Sequence, residues 1–159
     1  MLTKEGYLPR LLDPLIDNTL RVFGAVSIEG CKWCGKTWTS LNHSNSVYYV
    51  GDPAGNYQNR RLAELDPPYA FEGQTPHLID EWQEVPGLWD ATRFAVDQSR
   101  EKGQFILTGS SIPPLSKTLH SGIGRIERLR MRPMSLLESG DSTGAVSLSK
   151  LFDAKGRKG

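Results

Sequence analysis

The 159-residue sequence predicts an α/β fold, a three-layer sandwich of helices on a parallel sheet. Three observations carry that expectation. Short β-rich stretches alternate with helix-patterned ones, which implies parallel pairing through right-handed crossovers. The strand stretches are mostly apolar throughout, as expected when both sheet faces are covered. A glycine-rich turn at residues 30–37 leaves the first strand and opens the next helix.

The elements follow in order. Residues 7–20 carry Leu8, Leu11, Leu12, Leu15, Ile16 and Leu20 at helical spacing, with Pro9 and Pro14 each tolerable in a first turn. Residues 21–29, RVFGAVSIE, form a buried strand that stops at Gly30, and a short helix over 36–43 follows. SVYYV at 46–50 is the second strand, closed by Gly51-Asp52-Pro53. A helix over 56–65 turns Leu62 and Leu65 inward and ends at Asp66-Pro67-Pro68. His77-Leu78-Ile79-Asp80 is the third strand. A helix over 88–102 presents Leu88, Trp89, Ala91, Thr92, Ala95 and Val96 on one face and stops at Gly103. QFILT at 104–108 is the fourth strand, and residues 126–131 alternate Ile126, Arg128 and Arg130 against Glu127, Leu129 and Met131 as a half-exposed fifth. The expected organisation is an N-terminal helical segment over 1–20, a core over 21–138, and a polar, poorly ordered tail over 139–159, in which only Val146, Leu148, Leu151 and Phe152 look able to pack.

Composition bounds the function loosely. Hydrophobic residues make up 38% and charged residues 23%, ordinary values for one globular domain. A net charge of +1 argues neither for nor against a nucleic-acid partner. The charge is uneven: residues 41–99 are acid-rich, whereas Arg125, Arg128, Arg130 and Arg132 are opposed locally only by Glu127. Their default reading is a solvated edge strand, and a DNA or acidic-protein surface is the alternative. No apolar run approaches the ~20 residues of a membrane span, so no membrane role is expected. No secretory signal is visible either. A cytoplasmic, reducing setting follows, with Cys31 and Cys34 as thiols.

The chemistry concentrates in GCKWCGKTW, residues 30–38. A polyphosphate needs many donors converging on one point, and a loop folded around it aims successive backbone N–H groups inward. Gly30 lets the chain leave the strand sharply, and Gly35 lets the backbone approach an anion. Lys36 reaches the β- and γ-phosphates, and Thr37 offers its hydroxyl to Mg²⁺. The candidate phosphate-binding residues are Gly30, Cys31, Lys32, Trp33, Cys34, Gly35, Lys36 and Thr37, with Trp33 and Trp38 flanking the loop. The pattern arises by chance in roughly one chain of this length in two hundred. Cys31-x-x-Cys34 also has the spacing of a redox or metal pair. Thioredoxin-like enzymes do not require Gly-Lys-Thr after it, however, and His43, His77 and His120 are too scattered to complete a zinc site. The cysteines are read as occupants of variable loop positions.

Downstream, an apolar strand ending in Asp80-Glu81 brings two carboxylates to the edge where α/β folds bind ligands. Asp80 holds Mg²⁺ and Glu81 orients and deprotonates the attacking water. The next strand ends Thr108-Gly109-Ser110-Ser111, where a polar residue can fix that water; a plain Ser/Gly turn is the competing reading. Arg125 is either a residue that stabilises charge in a neighbouring subunit, through which the chain would self-associate, or a surface ion-pair residue.

GCKWCGKT, HLIDEWQEVPGLWDATR, FILTGSS and GRIERLRMRPMSLLE, in this order, resemble the ATPase domain of a bacterial and archaeal family of AAA-superfamily ATPases. The resemblance covers roughly residues 5–153. It implies an ASCE-type P-loop fold with strand order 5-1-4-3-2 and ATP as ligand. By position, Gly30, Gly35, Lys36 and Thr37 are then Walker A, Asp80 and Glu81 are Walker B, Thr108 or Ser110 is the sensor, and Arg125 is a candidate arginine finger. Family members continue into a C-terminal domain of unknown function, so the chain is expected to be a truncated ATPase with weak turnover, serving as switch or motor for that domain. A nucleotide-gated interaction module and a small-molecule kinase are the alternatives. For the kinase, the loop over 109–124 offers only Lys117 as a basic residue.

The cysteine spacing generates a prediction. Oxidising Cys31 and Cys34 to a disulfide distorts the loop and weakens ATP binding; equal affinity in oxidised and reduced samples, with the disulfide confirmed by mass, refutes it.

Overall fold

A computed structural model describes residues 6–110 and 122–154, with the backbone alone at Ser110, Asp153 and Ala154. The expected loop residues Ser111, Lys117 and His120 lie outside the described residues. Helix α1 spans Asp13–Val22, with Pro14 in its first turn, where a missing N–H is harmless. It outlasts the expected boundary at residue 20. Residues 21 and 22 complete its last turn, Phe23 is extended, and strand β1 runs Ala25–Gly30, four residues later than the sequence suggests. The turn between them is tight: a Cβ on Gly24 would meet Val96 Cγ1 at 2.2 Å.

Helix α2 covers Lys36–Asn42 and strand β2 Ser46–Tyr49. Helix α3 spans Ala54–Leu65, but Gly55, Asn56 and Tyr57 are left-handed at its start. It buries Ala63, whereas Leu65, expected inward, is 84% exposed. The buried stripe centres between Leu62 and Ala63, and Leu65 falls about a third of a turn off it. A 3₁₀ turn over Pro67–Phe71 precedes strand β3, His77–Asp80, and another over Trp82–Glu84 precedes helix α4, Gly87–Ser99. Arg100, in the left-handed region, ends α4 by donating its N–H to the Val96 carbonyl. Gly103, the expected stop, instead sets the turn into strand β4, Phe105–Ser110, and its N–H donates to Phe23 O at 2.9 Å. Strand β5 is Ile126–Arg130 and helix α5 Leu148–Ala154. Within 146–152, Val146, Leu148, Leu151 and Phe152 are exposed, so these apolar residues do not pack as the sequence suggests.

The five strands form one parallel sheet ordered β2-β3-β4-β1-β5, the expected 5-1-4-3-2 read from the other edge. Period-2 alternation splits the core. Ala25, Ile79, Phe105, Leu107 and Ile126 face the layer of α3 and α4 with Trp82 and Trp89. Val26, Ile28, Leu78, Ile106 and Leu129 face α1 and α2 with Ile16 and Leu41. The two tryptophan rings pack with centroids 4.9 Å apart at a tilt of 37°, and the Arg128 guanidinium lies 4.5 Å over Trp89. The basic run of β5 is therefore not one patch. Arg128 also reaches Glu29 at 3.5 Å, Arg125 pairs with Asp97, and Arg130 and Arg132 are exposed.

His77 begins β3 buried, its Nδ1 2.6 Å from Ser46 Oγ and its Nε2 3.0 Å from the Ala70 carbonyl. Burial pushes its pKa below the usual 6.5, with the Ala70 hydrogen bond opposing. Just below pH 6.5 the unfolded chain therefore binds a proton that the folded chain refuses, and stability rises with pH through that window. Urea unfolding from pH 5 to 7 will show this rise, and His77→Gln will flatten it.

Candidate functional site

Parallel register brings the chemistry to one edge. Gly30 of β1 pairs with Ser110 of β4, and Tyr49 of β2 with Asp80 of β3, so the strands end together at their carboxyl side. Gly30 must be glycine on packing grounds, since a Cβ there would meet the Met131 carbonyl oxygen at 2.4 Å. Trp33, at φ 67°, and Gly35, at φ 96°, curl the loop back to the start of α2. Such strain in a non-glycine residue is typical of ligand-holding loops. Trp33 is 99% exposed.

Lys36 folds over the loop. Its ammonium donates to the carbonyls of Gly30 at 3.0 Å and Cys31 at 2.9 Å, and the residue is only 5% exposed. A cation held at the mouth of a glycine-rich loop by replaceable carbonyls is available to an anionic ligand. Lys32 and Cys31 are exposed. Cys34 packs with Met131 and Ile28. Burial pushes its thiol above the usual range, Lys36 opposing, so it is a packing thiol rather than a thiolate.

Three elements meet at Asp80. Its Oδ1 accepts hydrogen bonds from Thr37 Oγ1 at 2.8 Å and from Thr108 Oγ1 at 2.6 Å. Thr108 Oγ1 in turn accepts the Glu81 N–H at 3.0 Å. Thr108 is fully buried, so it touches the Asp80 carboxylate and the Glu81 backbone from within the sheet and faces no open space. Ser110, the other sensor candidate, lies by its backbone at the open edge beside Gly30, and its side chain is outside the described residues. Thr37 and Asp80 present hard oxygen donors at a single point, the donor chemistry a magnesium ion takes.

Glu81 sits at φ 59°, which turns the chain sharply off β3. Its carboxylate accepts a hydrogen bond from Gln83 Nε2. Gln83 lies against Gly109, where a Cβ would meet its Oε1 at 3.0 Å. Sequence reasoning missed Gln83; its position two residues after Glu81 is the signal that could have found it. A polar cavity of about 400 Å³ opens here, lined by Lys32, Tyr57, Arg60, Glu81 and Gln83 among others. A second, apolar cavity of about 260 Å³ beside Gly35 is lined by Tyr7, Leu8, Arg10, Trp33, Trp38 and Met134 among others.

Arg125 is elsewhere. Its carbonyl accepts the Ala25 N–H at the start of β1, one strand length or about 20 Å from the loop. Its guanidinium bonds Asp97, which Arg93 also reaches at 2.9 Å. It cannot act on the loop of its own chain. Of the histidines, His43 lies between Asp13 and Asp17 at 2.9 and 2.8 Å, and His77 is in the core.

A family model described as an AAA domain matches residues 23–139. No curated protein matches the chain.

The Asp80 junction is testable without a ligand. Thr108→Val keeps the volume but strips a hydrogen bond from Asp80 and strands the Glu81 N–H. It is expected to lower the unfolding free energy by about 1–3 kcal/mol. Urea curves superimposable on wild type would show that the hydroxyl does not bridge the strands.

Proposed function

The chain belongs to the AAA-domain family, and from that premise we propose that it is a Mg²⁺-dependent ATPase module with Glu81 as general base. The carrying observation is the junction at Asp80, which couples Thr37 of the phosphate loop to Glu81 through Thr108.

In this reading the β- and γ-phosphates lie in the loop over residues 30–37, held by backbone amides and the positive end of α2. Lys36 exchanges its carbonyl partners for phosphate oxygens. Thr37 and Asp80 would hold a magnesium ion, which would supply charge to offset that of the phosphate oxygens. The base rests in the apolar cavity against Tyr7, Trp38 and Met134. Water enters from the polar cavity at Glu81. Its oxygen attacks the γ-phosphorus, the bond to the β,γ-bridging oxygen breaks, ADP leaves, and the proton passes to Glu81. Gln83 holds the Glu81 carboxylate, and Thr108 fixes its backbone. Arg125, too far from its own loop, serves only a second copy, which its exposure at the opposite edge permits. The cycle of binding and hydrolysis works as a switch.

Lys36→Ala removes a charged contact to phosphate and should weaken Mg²⁺-ATP binding about ten- to a hundredfold. Glu81→Gln should retain binding and lower turnover about 10²- to 10⁴-fold. Chelating the metal should stop turnover in wild type. Calorimetry and phosphate release check all three, and ATP bound by Lys36→Ala as tightly as by wild type sinks the reading.

A further inference from the structure

Arg10 precedes the sheet by fifteen residues, yet it reaches the phosphate loop. It is 7% exposed and spends its guanidinium on three segments. Nε donates to Glu138 Oε1 at 3.0 Å, Nη1 to the Cys34 carbonyl at 2.8 Å, and Nη2 to the Arg132 carbonyl at 2.9 Å. Nη1 also lies against Gly35, where a Cβ would meet it at 3.1 Å. Gly35 thus serves two needs, a left-handed backbone and room for this arginine.

Glu138 is built to aim it. Oε1 also accepts the Leu11 N–H at 2.8 Å, and Oε2 accepts the Ser135 N–H and hydroxyl, each at 2.7 Å. Burial raises the carboxyl's pKa, but the hydrogen bonds from Ser135, Leu11 and Arg10 outweigh it and hold it at about 2. Glu138 is therefore ionised at any working pH, and both of its oxygens are committed.

The consequence for the loop follows from peptide geometry. In a planar trans peptide the C=O and the next N–H point opposite ways. A Cys34 carbonyl gripped by Arg10 turns the Gly35 N–H away from Arg10. We propose that Arg10, aimed by Glu138, is a positioning residue for phosphate, setting the 34–35 peptide so that the Gly35 N–H faces the β-phosphate. This rests on the phosphate-binding reading of the loop. Arginine suits the site, since its planar guanidinium donates from three separate nitrogens in fixed directions, whereas the donors of an ammonium all leave from one freely rotating atom.

The test must survive a damaged fold. Removing Arg10 alone leaves the Glu138 carboxylate without its counter-charge, so the main variant is the neutral pair Arg10→Met with Glu138→Gln. Circular dichroism and melting without nucleotide set the temperature at which it is folded. There, ADP affinity is expected to fall at least tenfold while AMP affinity, lacking the β-phosphate contact, changes less than threefold. General loosening, or loss of the Arg10 side chain as a wall of the base cavity, would lower both together. Arg10→Lys, keeping charge without the fork, should share the loss. ADP affinity within twofold of wild type in the double variant, or full affinity in Arg10→Lys, overturns the proposal. Equal loss of ADP and AMP overturns it as well. Lys36→Ala runs alongside: if it alone loses ADP, the loop binds phosphate and only the Arg10 role fails; if it too keeps ADP, the phosphate reading itself is wrong.

Discussion

A single carboxylate oxygen, Asp80 Oδ1, receives hydroxyl hydrogens from the loop helix and from the central strand β4. Because Thr108 also takes the Glu81 N–H, the end of β3, the middle of β4 and the start of α2 are registered to one another within hydrogen-bond tolerance. The parallel sheet makes this possible. With β1 between β4 and β5 and β3 beside β4, the strand ends converge at one edge, and the turns after them face the same space.

Around that junction the loop is held at both ends. Lys36 closes it through the carbonyls of Gly30 and Cys31. At its far end Arg10 grips the Cys34 carbonyl and ties in the chain after β5 at the Arg132 carbonyl. Buried ionic groups such as Arg10 and Glu138 add little net stability compared with apolar packing, so their use here suits geometry rather than stability. On the other face Trp82 and Trp89 pack together in the core, and Arg128 extends that pair to the edge strand.

Local rules made the elements legible and misplaced their ends. The alternation of Ile126 and Leu129 across β5 follows from the residues themselves, because period-2 burial is a property of any strand. Leu65 was misread because helical spacing identifies a stripe without saying where the sheet meets it. Gly103 was misread as the end of α4 because glycine marks a left-handed position without saying which turn uses it; Arg100 took the cap and Gly103 the turn into β4.

The sequence by itself determined that residues 30–37 form a glycine-rich loop between a strand and a helix and that Asp80 and Glu81 end a strand, since both depend on neighbours in the chain. It also carried the sheet order, through the resemblance of four motifs in series. Only the tertiary structure decided that Thr108 bridges the Asp80 carboxylate and the Glu81 N–H, that Arg125 faces away from its own loop, and that Arg10 and Glu138, 128 residues apart, share one ion pair beside the loop. Those contacts join residues whose separation along the chain has no periodicity. They exist because a closed core fixes where the ends of distant elements meet.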